Sequence, residues 1–307
     1  MEKKEKQDFL NRLCEIAGSD HVCVDEPMKN HTTFRIGGNA DYFVSPHSVE
    51  EIQEIIAACK KENIPYYVIG NGSNLLVSDK GYRGVIIRLF KNFGMLEVKQ
   101  ERIYVQAGAL LSRTAKKALE HGLTGFEFAA GIPGTIGGAM VMNAGAYGGE
   151  MKDVTESVTV LTPDGEVKKL SKEELEMGYR TSVIVKKGYL VLEAELLLRR
   201  GNQEEILARM EELKEKRVSK QPLEYPSAGS TFKRPEGYFA GKLIMDAGLR
   251  GFQVGGAQVS EKHCGFVINS GNATAEDVIQ LMREVSDRVK EQTGVVLEPE
   301  VKMLGEF

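Results

Sequence analysis

Residues 125–150 constrain the fold more than any other part of the chain. The segment is dense in glycine and alanine, and Glu127 is its only charged residue before Glu150. Because glycine has no Cβ, its backbone can adopt positive φ and approach a neighbour or a ligand closely. From these residues alone, two interpretations stay open: a close packing of buried elements, or a cradle for a phosphate or cofactor.

A second glycine-rich segment follows a predicted strand. Residues 66–69 (YYVI) indicate a buried strand, and they run directly into residues 70–76 (GNGSNLL). The segment begins like a G-x-G-x-x-G fingerprint, but Leu75 stands at the sixth position, which disfavours a Rossmann dinucleotide unit. Successive backbone N–H groups and a hydroxyl can still bind a pyrophosphate. A plain tight turn is the alternative interpretation.

Length and composition indicate a globular protein of two domains. The chain has 307 residues, a net charge of -4 and a pI near 5.9, which argues against a nucleic-acid partner. No apolar run is long enough to span a bilayer, and the N-terminus is charged, so we expect a cytoplasmic protein with no membrane partner. Four widely spaced cysteines without a C-x-x-C pair and five scattered histidines predict no metal site.

Hydrophobic periodicity and turn residues predict alternating helices and strands. The predicted helices cover residues 6–18, 48–63, 111–121, 203–216 and 274–292, with a short helix starting at 171. The predicted strands include short runs on both sides of Gly37-Gly38 within 31–44, then 66–69, 85–89, 103–107, 158–161, 166–170, 189–198 and 295–304, and further αβ units lie at 238–248 and 264–269. Thr162-Pro163-Asp164-Gly165 predicts a hairpin turn.

Three polar segments stand where a purely structural explanation fits poorly. Residues 178–182 place Arg180 between a short predicted helix and an apolar strand. Residues 225–235 combine small residues, hydroxyls and two bases between prolines, and residues 297–301 put two carboxylates around a proline. Taken singly, each also fits a surface arginine, a flexible loop or a solvated strand end. The motifs of P-loop NTPases, zinc proteases and serine hydrolases are absent from the sequence.

Eight short motifs together resemble the UDP-N-acetylenolpyruvoylglucosamine reductase family. They occur in order from about residue 30 to the C-terminus: 32–38 (TTFRIGG), 70–76 (GNGSNLL), 131–138 (GIPGTIGG), 143–148 (NAGAYG), 228–233 (AGSTFK), 255–260 (GGAQVS), 269–273 (NSGNA) and 297–301 (LEPEV). The chain is more similar to the shorter, type II form, which lacks an extra tyrosine-bearing loop in the substrate domain.

The resemblance implies an α+β fold with non-covalently bound FAD. It implies a two-subdomain FAD-binding module of the vanillyl-alcohol-oxidase (PCMH) type at 31–200, with a break near 90, and a C-terminal α+β domain for the UDP-sugar at 201–307; residues 1–30 form an N-terminal helix and arm. The change to a charged helix after Gly201 supports the second boundary. The implied FAD contacts are Arg35, Gly70, Asn71, Gly72, Ser73, Asn74, Leu75, Gly131, Ile132, Pro133, Gly134, Gly137, Gly138, Asn143, Gly145 and Ala146.

The same resemblance implies a reductase of peptidoglycan precursor synthesis. NADPH is the implied co-substrate, and UDP-N-acetylglucosamine enolpyruvate is converted to UDP-N-acetylmuramate. By match of motif, Ser230 is the proton donor, while Arg180 and Glu300 assist at the carboxylate. Lys233, Arg234 and Arg217 are candidates for the UDP phosphates, and we expect a monomer.

Two other functions remain to be distinguished. A flavin-linked oxidase would use the same cofactor scaffold, although no histidine or cysteine occurs between Tyr66 and Lys80 to tether the flavin covalently. A nucleotide-sensing binding protein would explain the glycine-rich loops, but this hypothesis gives no function to Arg180, Ser230 and Glu300.

Overall fold

The computed structural model describes residues 3–307 and divides into two compact units. The first contains residues up to 23 together with 42–71 and 84–216, and the second contains 24–41, 72–83 and 217–307. The first two residues of the predicted N-terminal segment lie outside the described residues. The domain boundaries at residues 30 and 200 stay a prediction. The units of the structure are not continuous in sequence, since residues 24–41 and 72–83 group with residues 217–307.

Nine α-helices lie within residues 3–307, and the five longer predicted helices are confirmed with small shifts at their ends. They are α1 (Lys3–Ala17), α2 (Val49–Lys61), α3 (Leu111–Glu120), α4 (Ile136–Met142), α5 (Met151–Val154), α6 (Val183–Lys187), α7 (Gln203–Lys220), α8 (Ala240–Asp246) and α9 (Ala275–Thr293). No helix within this described range is both long enough and apolar enough to cross a membrane.

Most strands are short. They are β1 (Val22–Pro27), β2 (Asn39–Val44), β3 (Tyr66–Ile69), β4 (Leu75–Val77), β5 (Tyr82–Arg88), β6 (Leu96–Lys99), β7 (Arg102–Gln106), β8 (Leu123–Thr124), β9 (Gly145–Ala146), β10 (Gly149–Glu150), β11 (Thr155–Leu161), β12 (Val167–Ser171), β13 (Leu190–Leu197), β14 (Arg199–Arg200), β15 (Ser227–Ser230), β16 (Gln253–Val254), β17 (Ala257–Val259), β18 (Phe266–Asn269) and β19 (Lys302–Leu304).

The first unit is built on a five-stranded antiparallel sheet with the strand order β12-β11-β13-β7-β6. The predicted hairpin is confirmed, since β11 pairs with β12 and Leu161 lies opposite Val167 beside the turn. Apolar side chains of β11 and β13 are buried, and they share one core with the apolar sides of α2 and α3. Burial of this surface supplies the main stabilisation of the unit.

The helix α4 lies against this sheet because its glycines allow close approach. Gly137 N donates to the carbonyl of Ala107 at 2.8 Å, and a Cβ on Gly137 would lie 3.0 Å from the Ala107 Cβ. Gly149 is more tightly constrained, since its Cβ would lie 2.6 Å from the ring of Phe128. Close packing therefore accounts for part of the glycine content of residues 125–150.

The second unit has its own core, around the buried face of α9. Its four-stranded sheet has the order β15-β18-β17-β16, and β19 pairs in parallel with β4 so that Met303 lies opposite Leu76. Residues 24–41 also contribute, because Phe34 and Ile36 are buried in this core.

Asp79 caps α9 from a distant part of the sequence. Its Oδ1 accepts from Ala275 N at 2.9 Å and its Oδ2 accepts from Glu276 N at 3.1 Å. Both N–H groups lie in the first turn of the helix, where no intrahelical acceptor is available. A carboxylate there also interacts favourably with the helix dipole.

We expect Asp79→Ala to lower the free energy of unfolding by about 1 to 2 kcal/mol, because it removes two hydrogen bonds to the helix terminus. Urea titration followed by circular dichroism measures the effect. Asp246→Ala is the matched control, since Asp246 forms only an exposed pair with Lys242. An equal loss of stability in both variants would contradict the capping role.

Glu195 is a buried carboxylate on the face of β13 opposite to Ala194 and Leu196. It accepts from Lys169 Nζ at 2.9 Å, from Ser157 Oγ at 2.9 Å, and from Arg102. Burial raises the pKa of Glu195, but these hydrogen bonds outweigh burial and lower the pKa from 4.5 to about 2. The charged form is therefore the one that stabilises the sheet.

The depressed pKa of Glu195 makes stability depend on pH. The contribution of Glu195 to the free energy of unfolding is complete above pH 4.5, the ordinary pKa of this group. It is lost as the pH falls towards about 2, because the unfolded chain, with its higher pKa, binds the proton first. We expect the free energy of unfolding of Glu195→Gln to decrease less steeply than that of the unmodified protein as the pH falls from 4.5 to about 2. Glu193→Gln, on the same strand, is the control. An unchanged slope in Glu195→Gln would contradict the assignment.

Two predicted elements are wrong, and a third is shorter than predicted. The run before Gly37-Gly38 is not a strand, since a 3-10 turn covers Met28–His31 and Arg35 has a φ of 55°. No helix starts at Ser171: its side chain does accept from Glu174 N, but Glu176 turns left-handed, with a φ of 45°, before a helix can propagate. The last predicted strand is regular only at Lys302–Leu304.

Candidate active site

The two glycine-rich loops meet in the first unit. Asn71 Nδ2 donates to the carbonyl of Pro133 at 2.7 Å. Gly70 lies so close to Thr135 that a Cβ would be 2.2 Å from its Oγ1. Residues 70–71 and 131–138 therefore lie directly against each other.

The chemistry of these two loops fits the pyrophosphate of FAD. Residues 131–138 and 70–71 contain no acidic side chain, so nothing on the two loops repels a phosphate. Backbone N–H groups can bind a phosphate, and glycine lets a ligand approach the backbone closely. The loop at residues 131–138 that contains Pro133 also contains the other predicted FAD contacts of this motif, namely Gly131, Ile132, Gly134, Gly137 and Gly138.

Residues 72–75 form contacts within the second unit. Gly72 has a φ of 59°, and its carbonyl accepts from Thr33 N at 3.2 Å. Asn74 Nδ2 donates to the backbone carbonyl of Glu300 at 3.2 Å, and Leu75 pairs with Lys302. Ser73 lies between them and is half-buried.

Arg35 lies in an open cleft of the second unit. The cleft has a volume of about 410 Å³ and is lined by Lys29, Asn30, Thr32 and Arg35. Two of these four side chains are cationic and none is acidic, so the cleft suits an anionic group. Arg35 has a φ of 55°, which places it in the left-handed region.

Arg180 occupies the third position of a tight turn in the first unit. Gly178 N donates to the Thr181 carbonyl at 3.0 Å, and Thr181 N donates back to the Gly178 carbonyl at 3.3 Å. Arg180 has a φ of 54°, a conformation usually reserved for glycine at this position. Its guanidinium carbon lies 5.2 Å from the centre of the Tyr179 ring.

Asn143, Gly145 and Ala146 follow α4 at the end of the glycine-rich segment. Asn143 is only 2% exposed, and its side chain bonds to Glu150 and to the carbonyl of Gly178. Gly145 and Ala146 form β9, in which Ala146 lies opposite Gly149. The structure thus brings Asn143 and the Arg180 turn together.

Glu150 is a charged residue that the sequence interpretation did not assign to the site. The hydrogen bond from Lys152 lowers the pKa of Glu150, and Asn143 and the charge of Arg180 lower it further against the effect of burial. Glu150 is thus an anion in the electrostatic surroundings of Arg180. The signal was present in the sequence, because Glu150 is the residue that ends an otherwise almost uncharged segment.

Ser230 ends β15 at an irregularity in the sheet. The register between β15 and β18 shifts between Ser227 and Ser230, and Gly229 has a φ of 76°. Its neighbour Thr231 is 4% exposed, and the Thr231 hydroxyl accepts from Val267 N at 2.9 Å. The backbone around Ser230 is therefore fixed on both sides, while Ser230 itself is half-buried.

Glu300 is brought beside the Ser230 segment by a short antiparallel pairing. Glu300 N donates to the Thr231 carbonyl at 2.8 Å, and Lys233 N donates to the Glu298 carbonyl at 2.8 Å. Glu300 is 8% exposed. The segment directly after Ser230 is thus paired with residues 298–300 within one unit.

The three predicted phosphate ligands have different surroundings. Lys233 Nζ lies 2.9 Å from Glu298 Oε2 in an exposed pair. The Arg234 guanidinium carbon lies 3.9 Å from the centre of the Phe239 ring. Arg217 belongs to the last turn of α7. Within residues 3–307, no group of three or more histidine, cysteine or acidic side chains is arranged to hold a metal ion.

Two family models match the chain. One is described as FAD binding domain and matches residues 40–171; the other is described as UDP-N-acetylenolpyruvoylglucosamine reductase, C-terminal domain, and matches residues 221–304. Together with the site chemistry, the first match defines the chain as an FAD-binding flavoprotein.

Relatives of nearly the same length make the assignment specific. The UDP-N-acetylenolpyruvoylglucosamine reductase of Lachnoclostridium phytofermentans is 57% identical over 97% of this chain and 97% of its own, and that of Clostridioides difficile is 52% identical over 98% and 99%. The chain belongs to the UDP-N-acetylenolpyruvoylglucosamine reductase family.

Solved structures agree with the expected fold. The reductase of Thermus caldophilus has a TM-score of 0.78 and 38% identity, over 92% of this chain and 98% of that chain. Wild-type Phl p 4.0202, a glucose dehydrogenase, has a TM-score of 0.51 and 14% identity over 64% and 44%, which is a likeness of fold alone. The predicted α+β architecture, with a PCMH-type FAD module and a C-terminal domain, is confirmed.

Proposed function

We infer that the chain is an FAD-dependent reductase that uses NADPH to convert UDP-N-acetylglucosamine enolpyruvate into UDP-N-acetylmuramate, a step of peptidoglycan precursor synthesis. The observation that carries this conclusion is near-full-length identity above 50% to reductases of this name. A hydride and a proton add across the enolpyruvyl double bond, so the reaction balances with one NADPH and one proton. FAD, when bound, supplies the hydride transfer between the two substrates.

We propose Arg180 as the group that stabilises negative charge on the enolpyruvyl carboxylate. Hydride addition at the methylene carbon builds charge on the adjacent carbon, and this charge is delocalised into the carboxylate. A fixed guanidinium stabilises that charge more strongly in the transition state than in the ground state. The constrained turn around Arg180 supports this role, because a preorganised charge needs no rearrangement during the reaction.

Ser230 is the proposed proton donor to the carbon beside the carboxylate. A serine hydroxyl is a weak acid, but it can protonate a strongly basic carbanion within hydrogen-bond reach. Glu300 is proposed to assist at the same group. Its burial and its backbone pairing with the segment after Ser230 support a shared role.

The proposed FAD contacts are the residues of the glycine-rich loops. Loop packing between Asn71 and Pro133 supports the assignment, as does the lack of acidic side chains there. The full proposed set is Arg35, Gly70, Asn71, Gly72, Ser73, Asn74, Leu75, Gly131, Ile132, Pro133, Gly134, Gly137, Gly138, Asn143, Gly145 and Ala146. For Asn143 the contact would come from the backbone, since its side chain is engaged within the protein.

Lys233, Arg234 and Arg217 are proposed to bind the UDP phosphates. A phosphate would replace Glu298 as the partner of Lys233, since that ion pair is exposed and exposed pairs contribute little stability. We further propose that the protein acts as a monomer in the cytoplasm. The proposed catalytic groups all come from one chain, and both substrates are charged nucleotides.

NADPH absorbance measured with the purified yellow protein, with and without the enolpyruvyl UDP-sugar, tests the proposed function. We expect NADPH oxidation that depends on the sugar and yields UDP-N-acetylmuramate. Oxygen consumption with a different donor would indicate a flavin oxidase instead. A colourless protein that consumes no NADPH would indicate a nucleotide-binding sensor.

A further inference from the structure

The side chain of Asn143 joins the glycine-rich segment to the turn that carries Arg180. Its Nδ2 donates to Glu150 Oε2 at 2.8 Å and to the Gly178 carbonyl at 3.2 Å, and its Oδ1 accepts from Lys152 N at 2.9 Å. The two amide hydrogens and the oxygen are therefore all engaged within the protein. With 2% of its surface exposed, Asn143 is a buried connection between two segments 35 residues apart.

The turn of Arg180 needs such support. A residue with a side chain in the left-handed region is less stable than glycine there, and this conformation persists only when surrounding contacts impose it. The carbonyl of Gly178 is the acceptor that closes the turn, since Thr181 N donates to it. Asn143 Nδ2 donates to the same carbonyl. It therefore holds the atom on which the turn depends.

A second bond ties the other side of the turn to the same helix. Ser182 Oγ donates to the carbonyl of Val141 at 3.0 Å, and Ser182 is fully buried. Arg180 thus lies between two attachments, one at Gly178 and one at Ser182. Both attachments lead to the C-terminal end of α4, the helix that anchors the glycine-rich segment to the sheet.

We propose that Asn143 is a positioning residue for Arg180. The side-chain amide of Asn143 fixes the backbone of the turn at residues 178–181, from which the Arg180 guanidinium reaches the substrate carboxylate. The proposal rests on the proposed role of Arg180. The Asn143 amide also donates to Glu150, whose pKa the charge of Arg180 lowers, so the same side chain contacts both the turn of Arg180 and this neighbouring carboxylate. A shift of about 1 Å in a positioned group can cost about 100-fold in rate, which sets the scale of the expected effect.

Asn143→Gly is the variant that isolates the amide. Asn143 has a φ of 45°, which glycine adopts freely, so the backbone is preserved while three hydrogen bonds are lost. Asn63→Gly is the matched control, because Asn63 is an exposed left-handed asparagine just after α2. Ser182→Ala is a second variant, which removes only the other attachment and leaves Asn143 in place.

The experiment is a double-variant comparison on the holoenzyme. We expect Asn143→Gly to slow the sugar-dependent step about 10- to 100-fold per bound FAD, and to slow it far more than NADPH-driven loss of flavin colour. In an Arg180→Ala background, the same change is expected to have less than about a 2-fold effect, since coupled residues are not additive. Amide exchange of the peptide around residues 178–182 is expected to rise in Asn143→Gly and to stay normal in Asn63→Gly.

Each outcome is distinguishable. If Arg180→Ala has a normal sugar-dependent step, the proposed role of Arg180 fails. If Arg180→Ala slows the sugar-dependent step but Asn143→Gly does not, the positioning role of Asn143 fails. It also fails if Asn143→Gly slows this step by the same factor in the unmodified protein and in the Arg180→Ala background. If Asn143→Gly does not fold, Ser182→Ala decides: a slowed sugar-dependent step with rapid amide exchange around 178–182 supports attachment of the turn to α4, and normal values contradict it.

Discussion

Ser230→Ala is expected to slow the sugar-dependent half of the reaction by about 10²- to 10⁴-fold, the usual contribution of a positioned acid. NADPH-driven loss of flavin colour should proceed at the normal rate, since Ser230 has no proposed part in that half. Rapid mixing of each half-reaction separately measures both rates. The substitution should leave the fold intact, because the backbone at Ser230 is set by β18 and Gly229.

Ser227→Ala is the matched control for Ser230. Ser227 lies at the other end of β15, where its backbone carbonyl accepts from the Thr33 hydroxyl at 2.7 Å. The control keeps this carbonyl, so both half-reactions should remain normal. Ser230→Cys retains a proton on the side chain and should recover part of the rate. Normal turnover in Ser230→Ala would remove Ser230 from the mechanism.

Arg180→Ala is expected to lower kcat by about 10²- to 10³-fold, the loss seen when one group that stabilises an oxyanion is removed. The effect should persist at saturating sugar, because the charge on the carboxylate grows as the transition state forms. Steady-state kinetics over a range of sugar concentrations separates kcat from KM.

Arg180→Lys distinguishes charge from geometry. Lysine keeps the positive charge but cannot form the two parallel hydrogen bonds of a guanidinium with a carboxylate. It should therefore recover only part of the lost rate. An effect of Arg180→Ala confined to the KM for NADPH would contradict its proposed role at the enolpyruvyl carboxylate.

Local sequence patterns predicted the regular elements well where the signal was short-range. The helix predicted at 48–63 is confirmed as α2, and its first residues agree with a capping serine, since the Ser48 side chain accepts from Glu51 N at 3.1 Å. The turn at residues 162–165 fixed the β11–β12 hairpin. These elements are specified by residues close in sequence, so pattern and structure agree.

Patterns failed where backbone conformation depends on distant contacts. Arg35 and Glu176 are left-handed residues with full side chains, which no propensity indicates. The grouping of residues 24–41 and 72–83 with the C-terminal third also depends on contacts such as that between Asp79 and α9. Such pairs are far apart in sequence and carry no local signal.

The proposed site residues came from motif resemblance, while their support came from the structure. Arg180 and Asn143 could each be selected from a motif, but the bond between Asn143 and the Gly178 carbonyl could not. Glycine density alone left packing and ligand binding open for residues 125–150. The structure shows close packing at Gly137 and Gly149, and the loop before α4 stays the proposed surface for the cofactor.

The central claim is that electrons from NADPH reduce the enolpyruvyl double bond while a side chain protonates the carbon beside the carboxylate. An anaerobic reaction of the holoenzyme with one equivalent each of NADPH and the enolpyruvyl UDP-sugar in heavy water, followed by NMR of the product, tests it directly. We predict one UDP-N-acetylmuramate per NADPH, with solvent deuterium on the carbon that bears the carboxylate. Oxidation of NADPH with recovery of unchanged sugar would contradict the account.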